Sequence, residues 1–274
     1  MAALAGPLLL VGCGRMGGAL LEGWLARGLP ATDVYVVEPS AALREQLREA
    51  HPGLMAVAEP KALPTELAPR AIIFAVKPQT MGAVLPAYEP LARSGPVILS
   101  IAAGTTIARF AGAFGETTPI VRAMPNTPAA IGRGVSVLVA NEHASPEQKE
   151  LCRALMAAVG DAHWIDDEEH MHAVTAMSGG GPAYVFLLIE TLAKAGIAGG
   201  LPDELAWPLA RATVTGSGAL AESSREPPEV LRQNVTSPGG TTEAALGVLM
   251  AENGIQPLFD RALSAAIRRS RELA

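Results

Sequence analysis

Up to about residue 165 the chain alternates short, continuous apolar runs with segments of helical period. Strands are predicted over residues 8–12, 34–38, 71–76, 97–101, 120–124 and 135–140. Most of these runs are apolar at every position, as strands covered on both faces are. Between the first two, Met16, Leu20, Leu21 and Trp24 recur at helical spacing, and Gly28 is placed to end that helix. Ser145-Pro146-Glu147-Gln148 predicts another helix start, with a serine N-cap, a proline at the first helical position and Gln148 as capping-box partner. Alternating strands and helices with buried strands imply an α/β fold built on a doubly wound parallel sheet.

Beyond about residue 165 the period changes. Helices are predicted over 168–177, 182–198, 202–223, 227–235, 241–252 and 256–272, with no further strand. This places a domain boundary there, with residues 1–165 as the sheet domain and 166–274 as an all-helical domain. In the second of these helices Leu187, Leu188, Thr191 and Ala195 share one face while Val185, Ile189 and Leu192 cover much of the other. A helix apolar nearly all round is buried in a core or a subunit interface.

Composition narrows the class. Of 274 residues 49% are hydrophobic, which excludes a disordered chain. The net charge is −6 and no stretch is strongly basic, so a nucleic-acid partner is not expected. Residues 1–11 read as a strand running into a glycine-rich turn, without the basic start of a signal peptide. The longest apolar stretch, 183–200, is interrupted by Glu190 and Lys194, so no membrane span is expected and a cytoplasmic location is. Cys13 and Cys152 lie far apart and have no metal-binding spacing. His170 and His172 fall on different helix faces, at expected solvated positions, and no metal is expected.

Gly12-Cys13-Gly14-Arg15-Met16-Gly17 is a GxGxxG turn directly after a strand and opening a helix. The first glycine permits the tight turn, the second lets a pyrophosphate approach the backbone, and the third lets helix and strand pack closely. The helix N-terminus then presents N–H groups to the anion. Glu38, at the end of the second strand, suits an adenosine ribose 2′-hydroxyl, which favours NADH. Ser40 and Arg44, just beyond, could hold the 2′-phosphate of NADPH. The sequence therefore implies NADPH or NADH without choosing between them.

Three more loops follow strand ends, where open α/β sheets bind ligands. Ala75-Val76-Lys77-Pro78 and Ala102-Ala103 offer small residues and backbone to a cofactor, and Asn126 is framed by Pro125 and Pro128. In the helical half, Ser178-Gly179-Gly180-Gly181-Pro182 and residues 234–242, NVTSPGGTT, are richer in glycine than packing requires. Backbone amides in the second can form a nest for a carboxylate.

RAMPNTPA at 122–129, SGGGPAY at 178–184 and NVTSPGGTT at 234–242, in this order behind the glycine-rich turn, closely resemble pyrroline-5-carboxylate reductases over essentially the whole chain. The family pattern near 178 often reads SGSGPAY, and Gly180 stands here in place of that serine. The resemblance implies a Rossmann-like N-terminal domain and a helical domain that interleaves with a second subunit, giving a homodimer or a higher assembly of dimers. It also implies an oxidoreductase that reduces L-1-pyrroline-5-carboxylate to L-proline with NAD(P)H, the last step of proline biosynthesis.

By the same resemblance, Ser237, Gly239, Gly240, Thr241 and Thr242 hold the substrate carboxylate, and Thr242 reaches the ring nitrogen. Thr175 matches another family threonine near the site, Glu168 aligns near the proline site, and Asn234 is grouped with the cofactor residues. A β-hydroxy-acid dehydrogenase would call on a lysine in the helical half. Lys194, the only lysine after residue 149, sits mid-helix on an apolar face. A non-catalytic nucleotide sensor would have no need of the NVTSPGGTT loop.

Overall fold

The structure, a computed structural model, describes residues 4–274, so the first three residues of the expected N-terminal strand lie outside the described residues. Two compact units emerge. One runs to Gly179 and includes Ile267–Ala274; the other is Gly180–Ala266.

The first unit is built on eight strands. They are β1 (Leu8–Val11), β2 (Val34–Val37), β3 (Met55–Val57), β4 (Ala71–Phe74), β5 (Val97–Ser100), β6 (Ile120–Met124), β7 (Gly134–Ala140) and β8 (Gly160–Trp164). Their spatial order is β3-β2-β1-β4-β5-β6-β7-β8. Every pairing is parallel except β6–β7, which is antiparallel, so the expected parallel sheet is mostly parallel. The connection explains the reversal. Only a short turn over Thr127–Ile131 separates β6 from β7, and a parallel return needs a crossover of a dozen residues or more. β3 and β8, the two edge strands, were absent from the sequence reading. β3 has three residues, and β8 alternates exposed and half-buried positions, so neither gives a continuous apolar run.

The helices of this unit are α1 (Arg15–Ala26), α2 (Ala41–Ala50), α3 (Pro78–Val84), α4 (Glu89–Ala92), α5 (Ile107–Phe114), α6 (Pro146–Ala157) and α7 (His170–Val174). A π-helical turn, Thr175–Gly179, follows α7. The period of two sorts the core: Leu8 and Leu10 join Trp24, Leu155 and Met156 on one face of the sheet. Leu9 and Val11 join Met81, Phe110 and Tyr88 on the other. The capping box expected at α6 forms: Ser145 Oγ accepts the Gln148 N–H and Gln148 Oε1 accepts the Ser145 N–H.

The change from alternating to helical structure falls after β8, yet the compact units divide later, between Gly179 and Gly180. α7 stays with the sheet because Met171 and His172 are buried there. His172, expected in solvent, has Nδ1 2.9 Å from Ser270 Oγ, with both residues buried. His170, two residues away, is exposed, as its different helix face requires.

The second unit is helical throughout. It contains α8 (Gly181–Ala198), α9 (Asp203–Ser223), α10 (Pro228–Asn234), α11 (Thr241–Leu249) and most of α12 (Ile255–Glu272). Its helices are strongly exposed for their composition. Val185, Phe186, Leu187 and Leu188 on α8 and Trp207 and Leu209 on α9 all face solvent in the single chain. By length and composition alone the run His170–Ala198 is apolar enough to cross a membrane, a criterion that an apolar helix of a subunit interface also meets. Glu190 and Lys194 interrupt it as an exposed ion pair one helical turn apart.

Candidate active site

The glycine-rich turn lies where β1 ends, and its geometry follows from its glycines. Gly12 has φ +85°, a left-handed conformation that side chains disfavour. Its N–H donates to Val37 O at 2.8 Å, which closes the turn against β2. A Cβ on Gly17 would stand 2.4 Å from Gly12 O, so only glycine lets α1 rise this close to the strand. A Cβ on Gly14 would meet nothing within 4 Å, which leaves open space over the turn. Gly14 is the N-cap of α1 and offers no side-chain cap, and the first turn carries no acidic residue. An uncapped helix start facing open space, with backbone N–H groups exposed, fits the pyrophosphate of a dinucleotide.

Sheet order brings the other expected loops to the same edge, since β2, β1, β4 and β5 are consecutive neighbours. Ala75 N–H donates to Val11 O at 2.8 Å, and Val76, Lys77 and Pro78 continue from there into α3. After β5, Ala102 is buried and Ala103 half-buried, leading to α5 with Thr106 as N-cap. After β2, Glu38 Oε2 accepts the Cys13 N–H at 2.9 Å and Oε1 accepts the Ser40 N–H at 2.9 Å. Arg15 and Met16 open α1, the first exposed and the second half-buried against the core.

Cys13 serves the turn as a small buried side chain. Burial, with lesser contributions from the negative charges of Glu38 and Glu22, pushes its thiol up to about 12. The shift runs opposite to what a helix N-terminus does to an exposed thiol, so Cys13 is not a nucleophile.

Asn126 has its side chain committed within the fold. Oδ1 accepts the Val135 N–H at 2.9 Å, and Nδ2 donates to Ser178 O at 3.2 Å. It ties the loop after β6 to β7 and to the π-helical turn. In that turn the Thr175 hydroxyl donates to Met171 O at 2.7 Å. Its proton is thus engaged, and its lone pairs are what it offers a ligand.

Glu168 reveals a residue to which the sequence reading gave no role. Its Oε1 accepts both Arg122 Nη1 at 2.7 Å and the Ile107 N–H at 3.0 Å. Arg122 lies on β6 with its side chain 3% exposed, while that of Glu168 is 29% exposed. The signal was in the sequence: a cation inside an otherwise apolar, doubly covered strand requires a buried partner. Glu168→Ala, which strands the arginine, should lower unfolding free energy by about 2 kcal/mol or more, short of the 3–5 for a fully buried pair. Arg122→Met, which releases Glu168 toward water and fills the slot with an apolar chain, should cost less. Urea midpoints of the two variants check this order, and an equal or reversed order would refute it.

In the second unit, the 234–242 segment joins α10 to α11. Asn234 ends α10 and its Nδ2 donates to Glu226 Oε2 at 3.0 Å. The turn is closed by Gly240 N–H to Ser237 O at 3.0 Å, and Glu243 Oε2 accepts the Gly239 N–H at 2.7 Å. Gly240 is the N-cap of α11 and supplies no side chain, so Thr241 and Thr242 open the helix uncapped. Ser237, Gly239, Thr241 and Thr242 are exposed, and among the described residues none hydrogen-bonds the Thr242 hydroxyl. Lys194 is exposed and paired to Glu190. Among the described residues no group of three or more His, Cys, Asp or Glu could hold a metal.

The turn after β1 and the loops beside it on the mostly parallel sheet define a dinucleotide-binding oxidoreductase of the Rossmann-like class, carrying a helical second domain. A family model described as pyrroline-5-carboxylate reductase dimerisation matches residues 168–273. Another, described as NADP oxidoreductase coenzyme F420-dependent, matches residues 8–104. The chain is 42% identical over 267 residues to a pyrroline-5-carboxylate reductase of Pseudomonas aeruginosa, covering 97% of this chain and 96% of that one. A solved reductase of the same name from Coxiella burnetii superposes with a TM-score of 0.92 at 33% identity, covering 98% of this chain and 99% of that one. A Plasmodium falciparum pyrroline carboxylate reductase, solved with NADP bound, gives 0.81 at 31% identity, covering 100% and 99%. The chain belongs to the pyrroline-5-carboxylate reductase family.

Proposed function

We propose that this protein reduces L-1-pyrroline-5-carboxylate to L-proline with NAD(P)H, closing proline biosynthesis, as a cytoplasmic homodimer. The observation that carries the reading is the turn over 237–242, within one of the three segments that carry the family resemblance. It is largely exposed, it opens α11 without a cap, and it presents a Thr242 hydroxyl that no described residue engages. Such a turn suits a carboxylate bound to backbone N–H groups at a helix start, with a hydroxyl beside it for the ring nitrogen.

The dinucleotide, when bound, supplies the hydride. Gly12, Gly14 and Gly17 shape the turn that receives its pyrophosphate, and Glu38 faces its adenosine ribose. Residues 75–78 and 102–103 line the same edge of the sheet. Ser237 and Thr241 anchor the substrate carboxylate at the turn that Gly239 and Gly240 shape, their own N–H groups being bonded to Glu243 Oε2 and Ser237 O, and this fixes the imine carbon for transfer. Orientation of this kind supplies several kcal/mol of a barrier, up to roughly 7–11 in well-aligned cases. Thr242 hydrogen-bonds the ring nitrogen. A hydroxyl is too weak an acid to protonate an imine unaided, so Thr242 positions the nitrogen and passes a proton from water. In the first unit, Thr175 offers an acceptor to a ligand, and Glu168, with Oε1 held by Arg122 and Ile107, offers Oε2.

The exposed apolar positions of α8 and α9 are the natural face for a second copy of this chain, because a family with a dimerisation domain needs such a surface. That use accounts for the apolar run through α8 better than a membrane does, since Glu190 and Lys194 lie within it. The test is oxidation of NADPH or NADH with pyrroline-5-carboxylate, followed by loss of the reduced-nicotinamide absorbance. Turnover with either supports the reading; folded protein that binds dinucleotide yet gives no turnover overturns it.

A further inference from the structure

We propose that Glu38 makes this chain select NADH over NADPH, and that Arg44 holds the Glu38 turn in place and does not clamp a 2′-phosphate. The proposal rests on the reading that the glycine-rich turn receives a dinucleotide, and it adds which one.

Three observations carry it. First, the Glu38 carboxylate is fixed at the turn from two sides, by the Cys13 N–H inside GxGxxG and by the Ser40 N–H that follows β2. Each oxygen keeps lone pairs free. A fixed carboxylate accepts hydrogen bonds and donates none, so it matches the two hydroxyls of an adenosine ribose. It opposes a 2′-phosphate, which carries negative charge and also accepts.

Second, the cation that could compensate is anchored to this same turn through one of its nitrogens. Arg44 Nη1 donates to the carbonyl oxygens of Glu38 and Pro39, each at 2.7 Å. Swinging the guanidinium out to a phosphate would forfeit two charge-assisted hydrogen bonds and loosen the segment that carries Glu38. Third, Ser40 Oγ accepts the Leu43 N–H at 3.3 Å as N-cap of α2, so this hydroxyl too has a place in the local fold. The two candidates for holding a phosphate are thus both anchored in the turn, beside a fixed acid that a 2′-phosphate would have to approach. The NADP-bound Plasmodium relative speaks for its own loop, while the preference here follows from residues 38–44 of this chain.

The experiment is equilibrium binding of NADH and NADPH without substrate, by calorimetry or by the fluorescence of the bound nicotinamide, in wild type, Glu38→Gln and Arg44→Ala. Wild type should bind NADH roughly tenfold or more tighter than NADPH, the scale of a like-charge contact on a partly exposed site. Glu38→Gln should tighten NADPH in absolute terms and narrow the ratio by roughly tenfold. A merely damaged protein would instead lose both ligands. Arg44→Ala should weaken both dinucleotides alike and leave their ratio unchanged.

NADPH binding tighter than NADH in wild type overturns the proposal. So does a selective loss of NADPH in Arg44→Ala, which would make that arginine a phosphate clamp. Binding of neither dinucleotide overturns the cofactor reading itself, and the two failures are thereby told apart.

Discussion

Gly17→Ala should cost the protein both stability and dinucleotide affinity, whereas Gly14→Ala, three residues earlier, should cost affinity alone. The contrast follows from what a methyl group meets at each position. At Gly17 a Cβ would stand 2.4 Å from Gly12 O and 3.2 Å from the Ala75 side chain. The near atom is backbone and is part of the turn whose neighbouring N–H closes on Val37 O. Relief therefore means lifting α1 from the sheet or opening the turn. Overpacking of this kind costs about 1–3 kcal/mol or more, and it falls on the segment that receives the pyrophosphate. The melting temperature should drop by several degrees, with NADH binding weakened roughly tenfold to a hundredfold.

At Gly14 the Cβ meets nothing within 4 Å and φ is −67°, so alanine suits the backbone. Its methyl would occupy the space left for the ligand. Thermal unfolding and NADH titration of the two variants make the comparison. An unchanged melting temperature for Gly17→Ala would show that the close approach of α1 to β1 is not needed, and undiminished binding by Gly14→Ala would remove the turn from cofactor recognition.

Thr242→Ala should lower kcat/KM for pyrroline-5-carboxylate by roughly tenfold or more, equivalent to about 1.4 kcal/mol or above of lost transition-state stabilisation. Stability should not change. Thr242 is exposed at the second position of α11, and its hydroxyl engages no described residue, so the fold loses nothing when it goes. Thr242→Ser, which keeps the hydroxyl, should retain most of the activity. The two variants separate loss of a hydrogen bond from loss of a methyl group, and steady-state kinetics beside thermal unfolding measure both. An unchanged kcat/KM in the alanine variant would remove Thr242 from the mechanism.

Much of this architecture was legible without coordinates because it rests on local physics. A strand covered on both faces must be apolar at successive positions, and the six predicted strands are those buried in the middle of the sheet or next to its edges. The capping box at Ser145 and the helical stretches of the second unit were legible for the same reason, since caps and helical period need only near neighbours in the chain. β3 and β8 escaped notice because an edge strand buries one neighbour and half its surface. Met55 is 42% exposed, and β8 exposes Asp161 and His163.

The candidate site divides along the same line. GxGxxG, its place after β1, and the acid closing β2 follow from spacing alone. The use of Arg122 by Glu168, of Ser178 by Asn126 and of His172 by Ser270 does not, because partners 46, 52 and 98 residues apart meet only when the chain has folded. Such pairs decide which polar groups are left over for a ligand, since a side chain already bonded within the fold loses those bonds in turning elsewhere.

Glu38, Ser40 and Arg44 show the division most clearly. By itself the sequence determined that an acid, a hydroxyl and a cation follow β2 within seven residues, at the ribose end of a dinucleotide turn. It could not rank them, because composition carries no record of which groups bond to one another. The tertiary structure shows those bonds, with Arg44 Nη1 on two carbonyls, Ser40 Oγ capping a helix and two backbone N–H groups fixing the carboxylate beside the turn, and the proposed preference for NADH rests on that arrangement.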